Sequence, residues 1–451
     1  MKKYALLFLT AVAFAACKND DDKPNPGGGG GGNSDTIDVR GTISANTNWS
    51  KSKVYRLRGY VYVDNATLTI EAGTTIISKK DSAGVLVIYK GSQLIANGTA
   101  ASPIVFTSGE TEKAPGDLGG VILVGKATGN GNHGTLEGGV NNDHKLFGGT
   151  DDHDNSGSMK YVRIEYAGKA VADGDEVNGL SLYGVGDATT LDHIEVIRGL
   201  DDAFEFFGGT VNAKYLIAYN CADDDFDMDD GYRGKIQYAI SVKDPKFTDP
   251  KGTTGDVSNN FEVDNTNPSN KPVTSTPITH PLLSNFTAIG PNNGAGVSSD
   301  YGFNMRFRRG SSVELVNSIV IGGQKAGLHI DDDATAAFFI SNEAGVRNTL
   351  LQAYANPYEV QSVTLLDAAA LKALVEGNSG SQYFANAADV KLTDPFNNAA
   401  PNLKPAAGSP ALATAGKFED HFNDAFFDKT NFVGALDAGT DWTSGWAKFG
   451  M

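Results

Sequence analysis

The chain has 451 residues, 40% hydrophobic and 9% aromatic, which is enough to bury a sizeable core and excludes an intrinsically disordered protein. A formal net charge of -17 repels phosphate, so nucleic acid is excluded as a general partner and an anionic membrane surface is disfavoured. The 54 glycines follow no every-third-residue period, which excludes collagen and marks many tight turns.

The chain opens with "MKKYALLFLTAVAFAACKNDDD", two lysines ahead of a short apolar run that closes on small residues. Such a run is a secretory signal, too short to span a membrane, so residues 1–16 are expected to be a signal peptide. Phe-Ala-Ala-Cys at residues 14–17 resembles a bacterial lipobox, with Phe14 in place of the preferred Leu. That resemblance implies lipidation of Cys17. The following "KNDDD" resembles the export tag of Bacteroidota lipoproteins that face outward from the outer membrane; the alternative is an acidic start to a tether. Residues 17–36 then form a linker, and its "PNPGGGGGGN" reaches on the order of 20 Å. With Cys17 committed to lipid, Cys221 stands alone, so no intrachain disulfide forms and inert packing is expected for it.

From residue 37, short runs such as "VYVDNATLTIEAGTTIIS" and "GVLVIYKGSQLIANGT" carry the strand pattern between Gly and Asn punctuation. The stretch "NNDHKLFGGTDDHDNSGSM" holds His144 and His153 among acids, but no known ligand spacing, so it reads as a polar loop. Two phrases then recur in pairs. The first runs "KYVRIEYAG", "LDHIEVIRG", "AKYLIAYNC", "KIQYAISVK", "LLSNFTAIG", "SVELVNSIVIG"; the second runs "GLSLYG", "AFEFFGG", "DFDMDDG", "NFEVDN", "FNMRFRRG", "GLHIDD". A period of roughly 22 to 35 residues with short strands and no helix predicts an all-β solenoid, the parallel β-helix, over residues 37–349. A propeller blade needs a longer unit. The helical pattern of "VTLLDAAALKALVEGN" from Val363 to Asn378 predicts a short helix within a mixed C-terminal capping region, residues 350–451.

In a β-helix, equivalent residues of successive coils stack about 4.8 Å apart. Alternation within the second phrase sends Phe204, Phe206, Phe226, Met228, Phe261 and Val263 inward. One outward column then reads Ser181, Glu205, Asp227, Glu262, Arg306, His329, with a possible slip from Arg306 to Asn304. Asp225 and Asp229 are expected outward beside Asp227. Carboxylates at this spacing repel by about 3 kcal/mol per pair at an effective dielectric of 20. Relief comes from a bound cation, from Arg306, from a raised pKa or from solvent. Ca²⁺ takes six to eight hard oxygens, and Glu205, Asp225, Asp227 and Glu262 are the candidate metal ligands. The competing reading is a solvated acidic face, with Asp201, Asp202, Asp223 and Asp224 serving turn geometry.

The wording of "NATLTIEAGTTI", "SPIVFTS", "GGVILVGKA", "DNSGSMKYVRIEYAG", "DDAFEFFGGTVNAKYLIAYNCADDDFDMDDGYRGKIQYAI" and "DWTSGW" resembles a family of surface lipoproteins of the Bacteroidota, over most of residues 40–450. The resemblance implies a right-handed parallel β-helix of the pectin-lyase type, often encoded near outer-membrane TonB-dependent receptors. The expected function is therefore ligand binding or an accessory role in nutrient uptake, anchored to the outer membrane and facing outward, with glycans and a receptor complex as candidate partners. The alternatives are a calcium-dependent polysaccharide lyase or glycoside hydrolase, using Glu205, Asp227, Glu262, Arg306 or His329 in the external groove, and a structural or adhesive coat protein.

Overall fold

The computed structural model describes residues 35–130, 134–172, 175–249, 258–269, 271–377 and 379–450; the expected signal peptide and lipidation site at Cys17 lie outside them. Twenty-six strands form one continuous hydrogen-bonded array, and the coil-to-coil pairings within it are parallel. The chain is a parallel β-helix, as its periodicity predicts.

Each coil has a sheet built from the second phrase, including Leu180–Tyr183, Phe204–Phe207, Phe226–Asp229, Phe261–Asp264, Phe303–Arg308 and Ala326–Ile330. The first phrase makes one long strand bent at its middle, as in Thr190–Ile197, Asn212–Tyr219 and Lys235–Val242. In higher coils that bend splits the strand, giving Glu314–Val316 and Ile319–Gly323. The interior is filled as the alternation requires: Phe204, Phe206, Phe226, Met228, Phe261 and Val263 are all buried in one continuous core. Phe204 stacks on Phe226 at 5.3 Å and Phe226 on Phe261 at 5.8 Å, because equivalent inward residues become vertical neighbours.

The bend has its own column. Tyr161, His193, Tyr215, Tyr238, Asn285, Asn317 and Asn348 all carry positive φ, between 49° and 62°. A left-handed residue turns the strand without a separate loop, at a cost of about 1–2 kcal/mol for most side chains and less for Asn. In the lower coils the rings offset that cost by stacking: Tyr161 on His193 at 4.2 Å, His193 on Tyr215 at 4.3 Å and Tyr215 on Tyr238 at 5.0 Å. In the upper coils asparagine, the cheaper left-handed residue, takes over.

Two features differ from the expected boundaries. Stacking does not stop at residue 349: Leu350–Ala353, Asn356–Val360 and Gln382–Tyr383 continue the parallel pairing. The predicted helix is present as Ala368–Glu376, N-capped by Asp367, and a second one, Asp333–Ser341, interrupts the last coils with Asp332 as its cap. Both helices place residues in the main core, Ala336 and Phe339 from one and Leu371 and Val375 from the other.

The C-terminal segment beyond them is a strap along the side of the coil. The asparagine column donates to it in descending order: Asn348 to the Ala415 carbonyl (3.0 Å), Asn317 to Lys417 (2.9 Å) and Asn285 to Gly434 (3.2 Å). Farther down, Trp442 and Trp446 meet the ring column edge-on at Tyr215 and His193, and Arg163 donates to the Trp446 carbonyl (2.9 Å). The Lys448 amide lies 3.1 and 3.0 Å from the two carboxylate oxygens of Glu195. A second apolar core, with Ile197, Ile217, Ile240, Ile289 and Ile319 from the coil and Val433, Leu436 and Trp446 from the strap, seals the contact. Trp446→Ala is expected to cost about 3–5 kcal/mol. Hydrogen exchange should show the Lys448 amide losing protection while the core strands keep theirs.

Candidate functional site

On the outward side of the second-phrase sheet, register fixes a column: Tyr62, Val87, Ile122, Ser181, Glu205, Asp227, Glu262, Arg306, His329 and Glu359. The expected segment from Ser181 to His329 is reproduced residue for residue. The slip to Asn304 does not occur: its side chain is buried and donates to Asn260 Oδ1 at 2.7 Å. Below Ser181 the column is Ile122, Val87 and Tyr62, and these join a buried apolar cluster with Leu136, Phe147 and Val177.

The turn acids join the column acids. Asp202, Glu205 and Asp227 bring carboxylate oxygens within 4.8 Å of one another, as do Asp224, Asp227 and Glu262, and Asp201, Asp202 and Asp223. Asp202 and Asp227 each belong to two of these triads, and Asp227 is the hub that links Asp202 and Glu205 to Asp224 and Glu262. The turn role expected of these acids is also present, since Asp202 Oδ1 accepts the Asp224 amide (2.8 Å) and Asp224 Oδ1 accepts the Asn259 amide. Each acid ties its turn to the next coil while its carboxylate joins the cluster. Asn259 continues the series by accepting the Phe303 amide (2.9 Å).

Asp225 does not belong to the cluster, contrary to expectation. It precedes its strand and is wholly buried with Lys243, whose Nζ lies 2.9 Å away, and with the Ser241 hydroxyl. A buried carboxylate needs such a cation, and the same ammonium donates to the Cys221 and Asp223 carbonyls. Cys221 is inert packing, as expected: burial and the nearby Asp225 push its thiol up to about 12.

Arg306 is held in a network of its own. Its Nη1 lies 3.0 Å from Glu262 Oε2, while Arg308 pairs with Glu262 and Asp264, and Arg309 with Asp264. The Arg306 guanidinium is thus committed to Glu262 in this structure. His329 is buried, stacked on Phe303 at 4.0 Å, and burial with Arg306 nearby lowers its pKa to about 4, so it is neutral at pH 7. His144 stacks on Tyr62 and bonds Asn141, and His153 pairs with Asp187, which are loop-positioning roles.

Most of the acidic face is covered: Asp202 is 6% exposed, Asp224 5%, Glu262 5% and Glu205 9%, while Asp227 is half-buried. Desolvation first, then neighbouring carboxylates, raises Glu205 and Asp227 well above ordinary values; Glu137, Asp227 and Asp202 act on Glu205, and Asp202, Glu262 and Asp224 on Asp227. Glu205 accepts from Asn178, whereas the buried Oδ1 of Asp227 has no hydrogen-bond partner among the described residues. Neither Glu205 nor Asp227 forms an ion pair among the described residues. The three arginines offset charge at Glu262 and Asp264, one coil above the hub.

The sign of the pH dependence follows from these raised values. An acid whose folded pKa exceeds its unfolded value stabilises the fold most below about pH 4, and that contribution is lost as pH rises through the folded pKa. With chelator present, denaturant midpoints should therefore fall from weakly acidic to weakly alkaline pH. Asp227→Asn should flatten this slope and raise the midpoint at pH 8, because it removes the repelled charge.

Residues 41–393 match the family described as pectate-lyase like beta helix domain. A solved structure titled "Crystal structure of pectate lyase Pel9A" aligns with 84% of this chain and 87% of its own, at 13% identity and a TM-score of 0.38. No curated protein matches the chain in sequence. The family match spans most of the chain and coincides with the stacked coils, so the chain belongs to the pectate-lyase-like β-helix domain family.

Proposed function

We propose that the protein is an outward-facing outer-membrane lipoprotein, anchored through Cys17, that binds Ca²⁺ at Asp202, Glu205, Asp224, Asp227 and Glu262 and serves as a ligand-binding or accessory component of nutrient uptake. The observation that carries the calcium site is the hub: a buried Asp227 oxygen without a hydrogen-bond partner, set among four carboxylates on three successive coils. Ca²⁺ is the divalent ion whose high coordination number and all-oxygen preference suit this donor set. When bound, the ion supplies the positive charge that the described neighbours of Glu205 and Asp227 do not. Its role in this reading is to lock three coils and their turns, so that the surrounding loops present a fixed surface to a glycan or to a TonB-dependent receptor. The anchor and the receptor setting rest on the N-terminal sequence and on the family wording quoted above.

A calcium-dependent polysaccharide lyase is the second reading, favoured by the family's name. Against it stand the burial of Asp202, Glu205, Asp224 and Glu262 and the commitment of Arg306 to Glu262. The two readings separate experimentally. At 100 times its Kd, Ca²⁺ should stabilise the wild type by about 2.7 kcal/mol, with the gain absent in Asp227→Asn. A panel of acidic and neutral polysaccharides should show retention without new reducing or unsaturated ends. Calcium-dependent release of unsaturated products, lost in Asp227→Asn, would establish the lyase instead. Palmitate labelling that vanishes in Cys17→Ser, followed by recovery from outer membranes, checks the anchor.

A further inference from the structure

Away from the acid column, three residues distant in sequence meet at the strap. His280 lies just ahead of strand Leu282–Ile289, Glu314 opens strand Glu314–Val316, and His421 sits in the short 3₁₀ turn Asp420–Phe422. His280 Nε2 lies 2.9 Å from Glu314 Oε1, and His421 Nδ1 lies 2.6 Å from the same oxygen. One ligand atom from each of the three residues lies within 4.8 Å of those of the other two. We propose that His280, Glu314 and His421 form a binding site for a first-row divalent metal of the zinc class.

The donor set decides the class of ion. Two imidazoles and one carboxylate suit Zn²⁺, Co²⁺ or Ni²⁺, whereas Ca²⁺ is served by the all-oxygen cluster elsewhere. A tetrahedral ion at about 2.0–2.1 Å from each donor holds them about 3.3 Å apart, so the two contacts to Glu314 Oε1 need to widen by less than about 1 Å. The strap permits this, because the His421 side chain is 59% exposed.

Each ligand is positioned from outside the site. The His280 amide donates to the Tyr232 carbonyl (2.8 Å). Phe422, buried with Phe427 and Val316, fixes the turn that carries His421. Arg347 Nη1 pairs with Glu314 Oε2 at 2.6 Å, which leaves Oε1 for the two rings. Arg347 reaches back over Gly345, where an added Cβ would lie 3.2 Å from the guanidinium carbon. Glycine there keeps the path open. Such an arginine is a second layer that orients the ligating carboxylate. Three protein ligands leave a fourth position for water, and Glu314 also borders a cavity of about 110 Å³ lined by Arg347, Lys417 and Asp420. The bound metal would pin the strap to two coils, where hydrogen bonds alone now join His421 to Glu314.

The test is calorimetric titration of the untagged full chain with Zn²⁺ in saturating Ca²⁺, repeated with Co²⁺ and followed by its visible ligand-field absorption. The expected result is one Zn²⁺ per chain at this site and a Co²⁺ spectrum of low coordination number, with affinity reduced at least about tenfold in His421→Ala and in His280→Ala. His153→Ala, an exposed histidine elsewhere, should leave binding unchanged. His421→Ala is decisive because its exposed ring can be removed without opening the core; its metal-free melting curve should match that of the wild type. Absence of Zn²⁺ binding by the wild type, or wild-type affinity retained in His421→Ala and His280→Ala, would overturn the proposal.

Discussion

Equivalent residues of neighbouring coils lie about 4.8 Å apart whatever their chemistry, and the rest of this molecule is a response to that spacing. Inside, it forces aromatic rings onto aromatic rings, as with Phe204, Phe226 and Phe261. At the bend it forces left-handed residues onto left-handed residues, and the chain meets the cost with ring stacks below and asparagines above. On the outer face it forces carboxylate onto carboxylate. Packing resolves the first two cases within the protein, but packing cannot neutralise charge.

The two flanks of the acid column show how differently charge can be handled on one scaffold. One coil up, Glu262 and Asp264 are paired by Arg306, Arg308 and Arg309. Around the corner, Asp225 is buried with Lys243. At Glu205 and Asp227 the neighbours that matter electrostatically are further carboxylates. The chain places Lys or Arg close by yet acids at the hub, and this difference is what the proposed cation site rests on. The strap along another side completes the contrast, since there the outward column is apolar or amide and is covered by the chain itself.

Much of this was legible in the repeats. The inward set, the outward order from Ser181 to His329 and the helix near Ala368 follow from period and alternation, which are local properties. The errors fell where alternation no longer applies. Asp225 stands one residue before its strand, at the turn, so its side chain follows the turn toward Lys243 and not the strand toward Asp227. Asp202 and Asp224 were read as turn residues and are that, but whether a turn acid also faces the column depends on how successive turns stack. The column of Tyr161, His193, Tyr215, Tyr238 and the three asparagines was present in the aligned phrases. The pattern hides it, because a left-handed bend inside a strand leaves the hydrophobic alternation intact. The strap and the His280–Glu314–His421 meeting depend on contacts across 100 and 107 residues, which no local period encodes.

The claim on which the functional account turns is that the hub around Asp227 is a cation site. The most direct measurement is a crystal structure of the protein grown with Ca²⁺ and refined against anomalous data. The account predicts one anomalous peak among Asp202, Glu205, Asp224, Asp227 and Glu262, with oxygen distances of about 2.3–2.6 Å. Carboxyl pairs sharing protons, with no peak between them at saturating Ca²⁺, would contradict it.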